Sequence, residues 1–223
     1  IVITVGATGG AVGQTGAATL EAATEPSGAD RAANATVTFA YVGDSSGNVT
    51  LATANGSQID TGVSATIVGH GAELDGDGAA EVPYVTDGGT LGVVDRTGET
   101  TALDEGARAT KTKMAVGDLD GDGQERVYYA TSNKELRWAN ASGATGAVVA
   151  NDTAAKAALG VADVTGDGVD ELVFTGSSGN LHYYNESGDT VVKFESTDTG
   201  ANSGGLGVGA PRDFDGDDVA EVP

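Results

Sequence analysis

Short runs of apolar and β-branched residues recur along the chain, separated by clusters of Gly, Asn, Asp and Ser. Val37 to Val42 and Val49 to Leu51 form one such pair, Val127 to Ala130 and Leu136 to Ala139 a second, and Leu172 to Thr175 and Leu181 to Tyr184 a third. Runs of this length with turn residues between them read as strands rather than helices. The turns repeat as well: Ser45 to Asn48 and Ser177 to Asn180 are both Ser-Ser-Gly-Asn. Four acidic segments punctuate the strands in register: Glu73 to Glu81, Asp118 to Arg126, Asp163 to Glu171 and Asp213 to Glu221. Their starts lie 45, 45 and 50 residues apart. A small-and-apolar run precedes each one (Ala65 to Gly69, Met114 to Gly117, Leu159 to Ala162, Leu206 to Gly209). After each complete segment come an apolar run, a polar turn, a second apolar run and a turn with Gly.

Each period therefore holds about four strands, with the acidic loop joining the first to the second. A four-stranded sheet repeated every ~40–50 residues is the pattern of a β-propeller blade, whose neighbours cover the faces it cannot bury alone. The expected fold is all-β: a β-propeller of four-stranded blades, preceded by a short N-terminal helix or strand. Its blades are expected at 64–110, 111–156 and 157–205, with a degenerate blade at 34–63, a partial one at 206–223, and a tail and linker over 1–33. Two arrangements of the ends stay open. The degenerate first blade and the partial last one combine into a shared closing blade, or the chain is a piece of a longer ring.

Composition narrows the chemistry. Hydrophobic residues make up 39 % but aromatics only 5 %, so the core is built from Val, Ala, Leu and Ile; 36 glycines suit many tight turns. The absence of Cys excludes disulfides, thiolate metal sites and cysteine nucleophiles. Eleven Lys and Arg stand against 33 Asp and Glu, a formal net charge of −22. That excludes nucleic acid as an electrostatic partner, because phosphate contacts need protein cations. It also argues against anionic lipid. Such acidity resembles proteins of extreme halophiles, in which carboxylates mainly solvate the surface, so only patterned carboxylates point to a site.

The pattern lies in the loops. Carboxylates at positions 1, 3 and 5, Gly at 6, a main-chain carbonyl at 7 and a carboxylate at 9 can wrap a hard cation such as Ca²⁺, which takes about 6–8 oxygens. Glu73, Asp75, Asp77 and Glu81 are the candidate ligands of the first loop, with the carbonyl of Ala79. The second offers Asp118, Asp120 and Asp122 with Gln124. The third offers Asp163, Thr165, Asp167 and Glu171 with Val169, and the fourth Asp213, Asp215, Asp217 and Glu221 with Val219. These loops, recurring in phase with the strands, resemble the FG-GAP or integrin-α-type (VCBS-like) propeller repeat with its Asp-x-Asp-x-Asp-Gly-x-x-Asp loop. The resemblance covers residues 64–223 and a degenerate copy from 34, and suggests a surface protein of haloarchaeal type. It implies structural Ca²⁺ on the rim, pinning the loop between the first two strands of each blade. Four departures stand out: Arg126 at the ninth position of the second loop, with Glu125 beside it, Glu73 for Asp at the first position, Asp218 for the turn Gly of the last loop, and Glu rather than Asp wherever the ninth ligand is present.

Six Asn-x-Ser/Thr sequons, at Asn34, Asn48, Asn55, Asn140, Asn151 and Asn185, point to glycosylation and an extracellular, cell-surface location. Residues 1–20 carry no charge, and the chain starts at Ile1 rather than Met, so a removed leader is expected. Ile1 to Val5 reads as a strand, and glycines at 6, 9, 10, 13 and 16 form a stripe at near-helical spacing. Residues 1–24 are thus a candidate contact with copies of the same chain: a pilin-like filament core, a donated strand or a plain spacer. The expected function is a non-enzymatic structural or adhesion module binding surface glycans or proteins. The alternative is a propeller that binds or cleaves polysaccharide. His70 and His182 sit in no nucleophile motif, and Trp138, Tyr183 and Tyr184 suit either sugar stacking or the blade core.

Overall fold

The structure is a computed structural model that describes residues 38–42, 47–53, 58–107, 109, 114–149, 155–176, 180–186, 189–198 and 211–222. The expectations for residues 1–37, the sequons at Asn34, Asn55 and Asn151, and the run Leu206 to Gly209 lie outside the described residues. Among those described there are fourteen strands and no helix. In chain order they are β1 (Thr38–Val42), β2 (Asn48–Thr53), β3 (Gln58–Val68), β4 (Val82–Thr86), β5 (Leu91–Val94), β6 (Thr100–Asp104) and β7 (Ala115–Gly117). Then follow β8 (Arg126–Ala130), β9 (Leu136–Ala139), β10 (Thr145–Val149), β11 (Ala155–Ala162), β12 (Glu171–Gly176), β13 (Asn180–Asn185) and β14 (Thr190–Asp198).

All pairings are antiparallel between sequence neighbours. β7 to β10 make one four-stranded sheet and β11 to β14 another. β3 links two more, because its first half pairs with β2 (Asn48 opposite Ser64) and its second half with β4 (Ala65 opposite Thr86). The strand changes partner between Ser64 and Ala65, just after an irregular stretch in which Gly62 takes a positive φ of 67° and the Thr61 hydroxyl donates to the Val49 carbonyl at 2.8 Å. The described sheets stand in a series and do not close into a ring.

The turns carry the repeat too. Thr86 and Thr131 each open the turn after the second strand of their sheets, and their carbonyls accept from the N–H groups of Gly89 and Lys134, both in left-handed conformation. Asp95 and Asn140 open the next turn, each accepting main-chain N–H bonds through Oδ1 in the Asx manner. Local chemistry alone accounts for these reversals.

Both faces of a middle sheet are covered. Val82, Tyr84 and Val94 pack with Val49 and Leu51 of the preceding sheet, while Val85, Leu91, Val93 and Leu103 pack with Met114, Val127 and Tyr129 of the following one. Tyr128, Ala130 and Leu136 then meet Leu172, Phe174 and Tyr184. A strand covered on both faces reads as a continuous apolar run instead of an alternating one. That is why β4, β8 and β12 are buried along almost their whole length.

The backbone approaches closely at two first-strand glycines. A Cβ on Gly117 of β7 would stand 2.6 Å from Val161 Cβ of β11, and one on Gly160 of β11 would stand 2.4 Å from Pro211 Cδ. The first sheet is polar on the side away from this series: Gln58, Asp60 and Ser64 are exposed, while Ile59 and Val63, between them, pack inward.

Candidate metal centre: four acidic loops

The first three acidic loops each leave the first strand of a repeat and return as the second, and the fourth is described only from Pro211 to Val222. A narrow bridge closes two of them: Ala72 and Glu81 exchange both main-chain bonds, as do Arg212 and Glu221. Within every loop the fourth and sixth residues have positive φ. At the sixth position Gly78, Gly123 and Gly168 lie at 80°, 84° and 83°, and Asp218 takes the same conformation at 67°. An Asp tolerates this region better than most side chains, but at a cost. Asp218→Gly is therefore expected to raise stability by about 0.5–1 kcal/mol, read as a higher urea midpoint with an unchanged slope. An unchanged or lower midpoint contradicts the strain.

The carboxylates first serve the loop's own backbone. The first-position side chain gathers the N–H groups of the tight turn: Asp163 accepts from Gly166 at 2.7 Å and Gly168 at 2.8 Å, and Asp213 from Gly216 at 2.6 Å and Asp218 at 3.1 Å. Glu73, though longer, accepts from Gly76 at 2.6 Å. Fifth-position Asp77, Asp122, Asp167 and Asp217 each accept from the seventh residue. Ninth-position Glu81, Glu171 and Glu221 reach back to the N–H groups of Leu74, Val164 and Phe214. This last bond requires the extra methylene of Glu only as far as these three loops use it.

Charge crowding differs between loops. Burial pushes the Glu81 carboxyl up; the Leu74 N–H opposes this, while Asp75, Glu73 and Asp77 add to it. The Gly216 N–H, followed by those of Asp218, Asp215 and Asp217, holds Asp213 low against a burial cost. Asp215 moves the other way, chiefly because Asp217 is beside it. Asp163 is held low by four backbone N–H groups despite a burial cost that opposes them.

The structure brings three sets of carboxylates together, each with oxygens within 4.8 Å of one another: Glu73, Asp75 and Glu81; Asp118, Asp120 and Asp122; and Asp213, Asp215 and Asp217. Asp77 stays outside the first set and Glu221 outside the last. The third loop forms no such set among the described residues. There Thr165 stands where the other loops have Asp, and Glu171, fully buried, accepts from Val164 N at 3.0 Å, Thr165 Oγ1 at 3.2 Å and Asn185 Nδ2 at 2.9 Å. Asn185 is thus a site residue that the loop pattern does not reveal, since it comes from the end of β13. Its sequon nitrogen is already a donor to Glu171.

The second loop is different again. Arg126 pairs through Nη1 with Asp120 and through Nη2 with Asp122, and its Cζ stands 5.2 Å from the Trp138 ring centroid. Against a burial cost, the guanidinium holds Asp120 low. No Glu stands at position 9, and burial lifts the nearby Tyr128 phenol to about 12, with Arg126 and the Leu119 N–H opposing the rise. Glu125 reaches the neighbouring loop, where its Oε2 accepts the Glu73 N–H at 2.9 Å. His182 is buried against Phe174, ring centroids 5.4 Å apart, and burial pushes its pKa down. Trp138, Tyr183 and Tyr184 all lie on strands, packed with the clusters between or beside the sheets.

No family model and no curated protein matches this chain. Among solved structures it is similar to one described as the crystal structure of BBS1N in complex with ARL6DN, soaked with lead. The TM-score is 0.51 at 16 % identity, over 71 % of this chain and 49 % of that one. The likeness is one of fold. The chain spans about half of that neighbour, a β-propeller-type domain.

Proposed function

We propose that the chain is a cation-stabilised, β-propeller-type module of an extracellular surface, structural or adhesive rather than catalytic, with Ca²⁺ as the ion. One observation carries the metal. Glu73, Asp75 and Glu81 converge around a point where Glu81 is only 5 % exposed and Glu73 Oε2 is buried without a hydrogen-bond partner. Like charges brought this close, one of them desolvated, call for a counter-ion, and an all-oxygen donor set suits a hard divalent cation. Glu73, Asp75 and Glu81 would hold it in the first loop, and Asp213, Asp215 and Asp217 in the last.

The propeller reading is supported by the sheets covered on both faces, by the close approach of the first strands β7 and β11 at Gly117, and by the fold of the structural neighbour. A ring requires sheets that converge at one edge and splay at the other. The surface reading rests on the acidity and the sequons, although the Asn185 amide, which donates to Glu171, is a poorer glycan acceptor than its sequon alone suggests.

Metal binding to the folded state alone stabilises it by RT ln(1 + [Ca²⁺]/Kd), about 1.4 kcal/mol per site at tenfold excess over Kd. Excess EGTA is therefore expected to lower the melting temperature, with recovery on adding Ca²⁺ but not Na⁺ at matched ionic strength. An identical melt with and without chelator overturns the metal reading.

A further inference from the structure

Three of the four loops have a carboxylate at the ninth position, and the second has a cation there. From the geometry around it, we infer that Arg126 is the resident cation of the second loop: its guanidinium stands in for a metal ion and makes this loop a metal-independent clasp.

The loop is otherwise built like its neighbours. Gly121 and Gly123 have the positive φ of the shared turn, Asp118 accepts from Asp122 N at 3.2 Å and Gly123 N at 2.7 Å, and Asp122 accepts from Gln124 N at 2.9 Å. Its third and fifth carboxylates, which a metal would bridge, are bridged instead by one guanidinium, Nη1 on Asp120 and Nη2 on Asp122. The Arg126 side chain is only 13 % exposed, is covered by the Trp138 ring, and faces the Tyr128 hydroxyl. Planar, permanently charged and weakly hydrated, Arg suits a two-carboxylate site under an aromatic face.

Tethering decides the competition. A divalent ion entering between Asp120 and Asp122 would have to expel a cation that cannot diffuse away, and would then face its charge at short range. Tyr128, rather than a ninth-position Glu, stands beside the guanidinium in this loop. The second loop thus keeps its turn without metal, and Arg126 at the start of β8 ties it to the strand that packs on both neighbouring sheets.

The inference rests on the reading of the acidic loops as metal sites only for its calcium arm. Two variants test it: Arg126→Gln, which removes the charge, and Arg126→Glu, which restores the ninth-position carboxylate. In EGTA, Arg126→Gln is expected to melt about 3–6 °C below the parent protein. By calorimetry, Arg126→Glu is expected to bind one Ca²⁺ more per chain than the parent. Equal melts of Arg126→Gln and parent in EGTA overturn the clasp. A parent that binds Ca²⁺ while Arg126→Glu gains no further ion overturns the stand-in role. If the parent binds no Ca²⁺ at all, the metal reading falls, and the EGTA melts still decide whether Arg126 clasps the loop.

Discussion

Glu171→Ala is expected to destabilise the protein by about 3–4 kcal/mol, the larger of the two strongest effects foreseen. The carboxylate is fully buried and holds three donors from two parts of the chain: Val164 N and the adjacent Thr165 Oγ1 in the loop, and Asn185 Nδ2 at the end of β13. Truncation removes all three bonds, strands the Val164 N–H and the Asn185 amide, and opens a void at the start of a strand with no exposed residue. Lost hydrogen bonds and unsatisfied buried donors cost about 1–3 kcal/mol each, discounted here because Val164 and Asn185 are only partly buried. Glu171→Gln separates charge from shape. Its amide oxygen can still accept from Asn185 and Thr165, but its NH₂ would face the Val164 N–H, donor to donor, so an intermediate loss is expected. Urea unfolding of both variants checks this, and a Glu171→Ala midpoint within error of the parent refutes the role.

Gly117→Ala is expected to cost about 2 kcal/mol. In an unconstrained strand the same change stabilises slightly, because Ala has less unfolded-state entropy to lose, so the sign is diagnostic. At Gly117 the added Cβ would stand 2.6 Å from Val161 Cβ and 3.0 Å from both of its methyls. Cβ is fixed to the backbone, so β7 and β11 must move apart. In a Val161→Gly background the obstacle is gone, and the cost of Gly117→Ala should fall by at least about 1 kcal/mol, a coupling that a double-mutant cycle measures. Additive effects would mean that the two strands are free to separate.

Local features of the chain were readable with little loss. The runs Leu172 to Thr175 and Leu181 to Tyr184 lie in β12 and β13, and Val127 to Ala130 and Leu136 to Ala139 in β8 and β9. The phase of the first three acidic loops also reads correctly, since each stands between the first and second strands of its repeat. Turn chemistry is decided within four or five residues, so a linear pattern contains it. The close backbone approach at Gly117 was not legible, because it depends on Val161 of another sheet.

The linear order of residues already specifies the repeated succession of strands and turns, and the acidic side chains that each loop carries. Alternation, glycine placement and charge spacing act over short stretches of backbone, and no distant partner is needed to express them. Only the tertiary structure decided how each loop is balanced. Four nearly identical stretches acquire different electrostatics because their counterparts come from elsewhere: Trp138 over Arg126 from the adjacent strand, Asn185 on Glu171 across a hairpin, and Glu125 on Glu73 from a neighbouring repeat. A carboxylate's environment is set by what folds against it, and that is a property of contacts between segments rather than of any one of them.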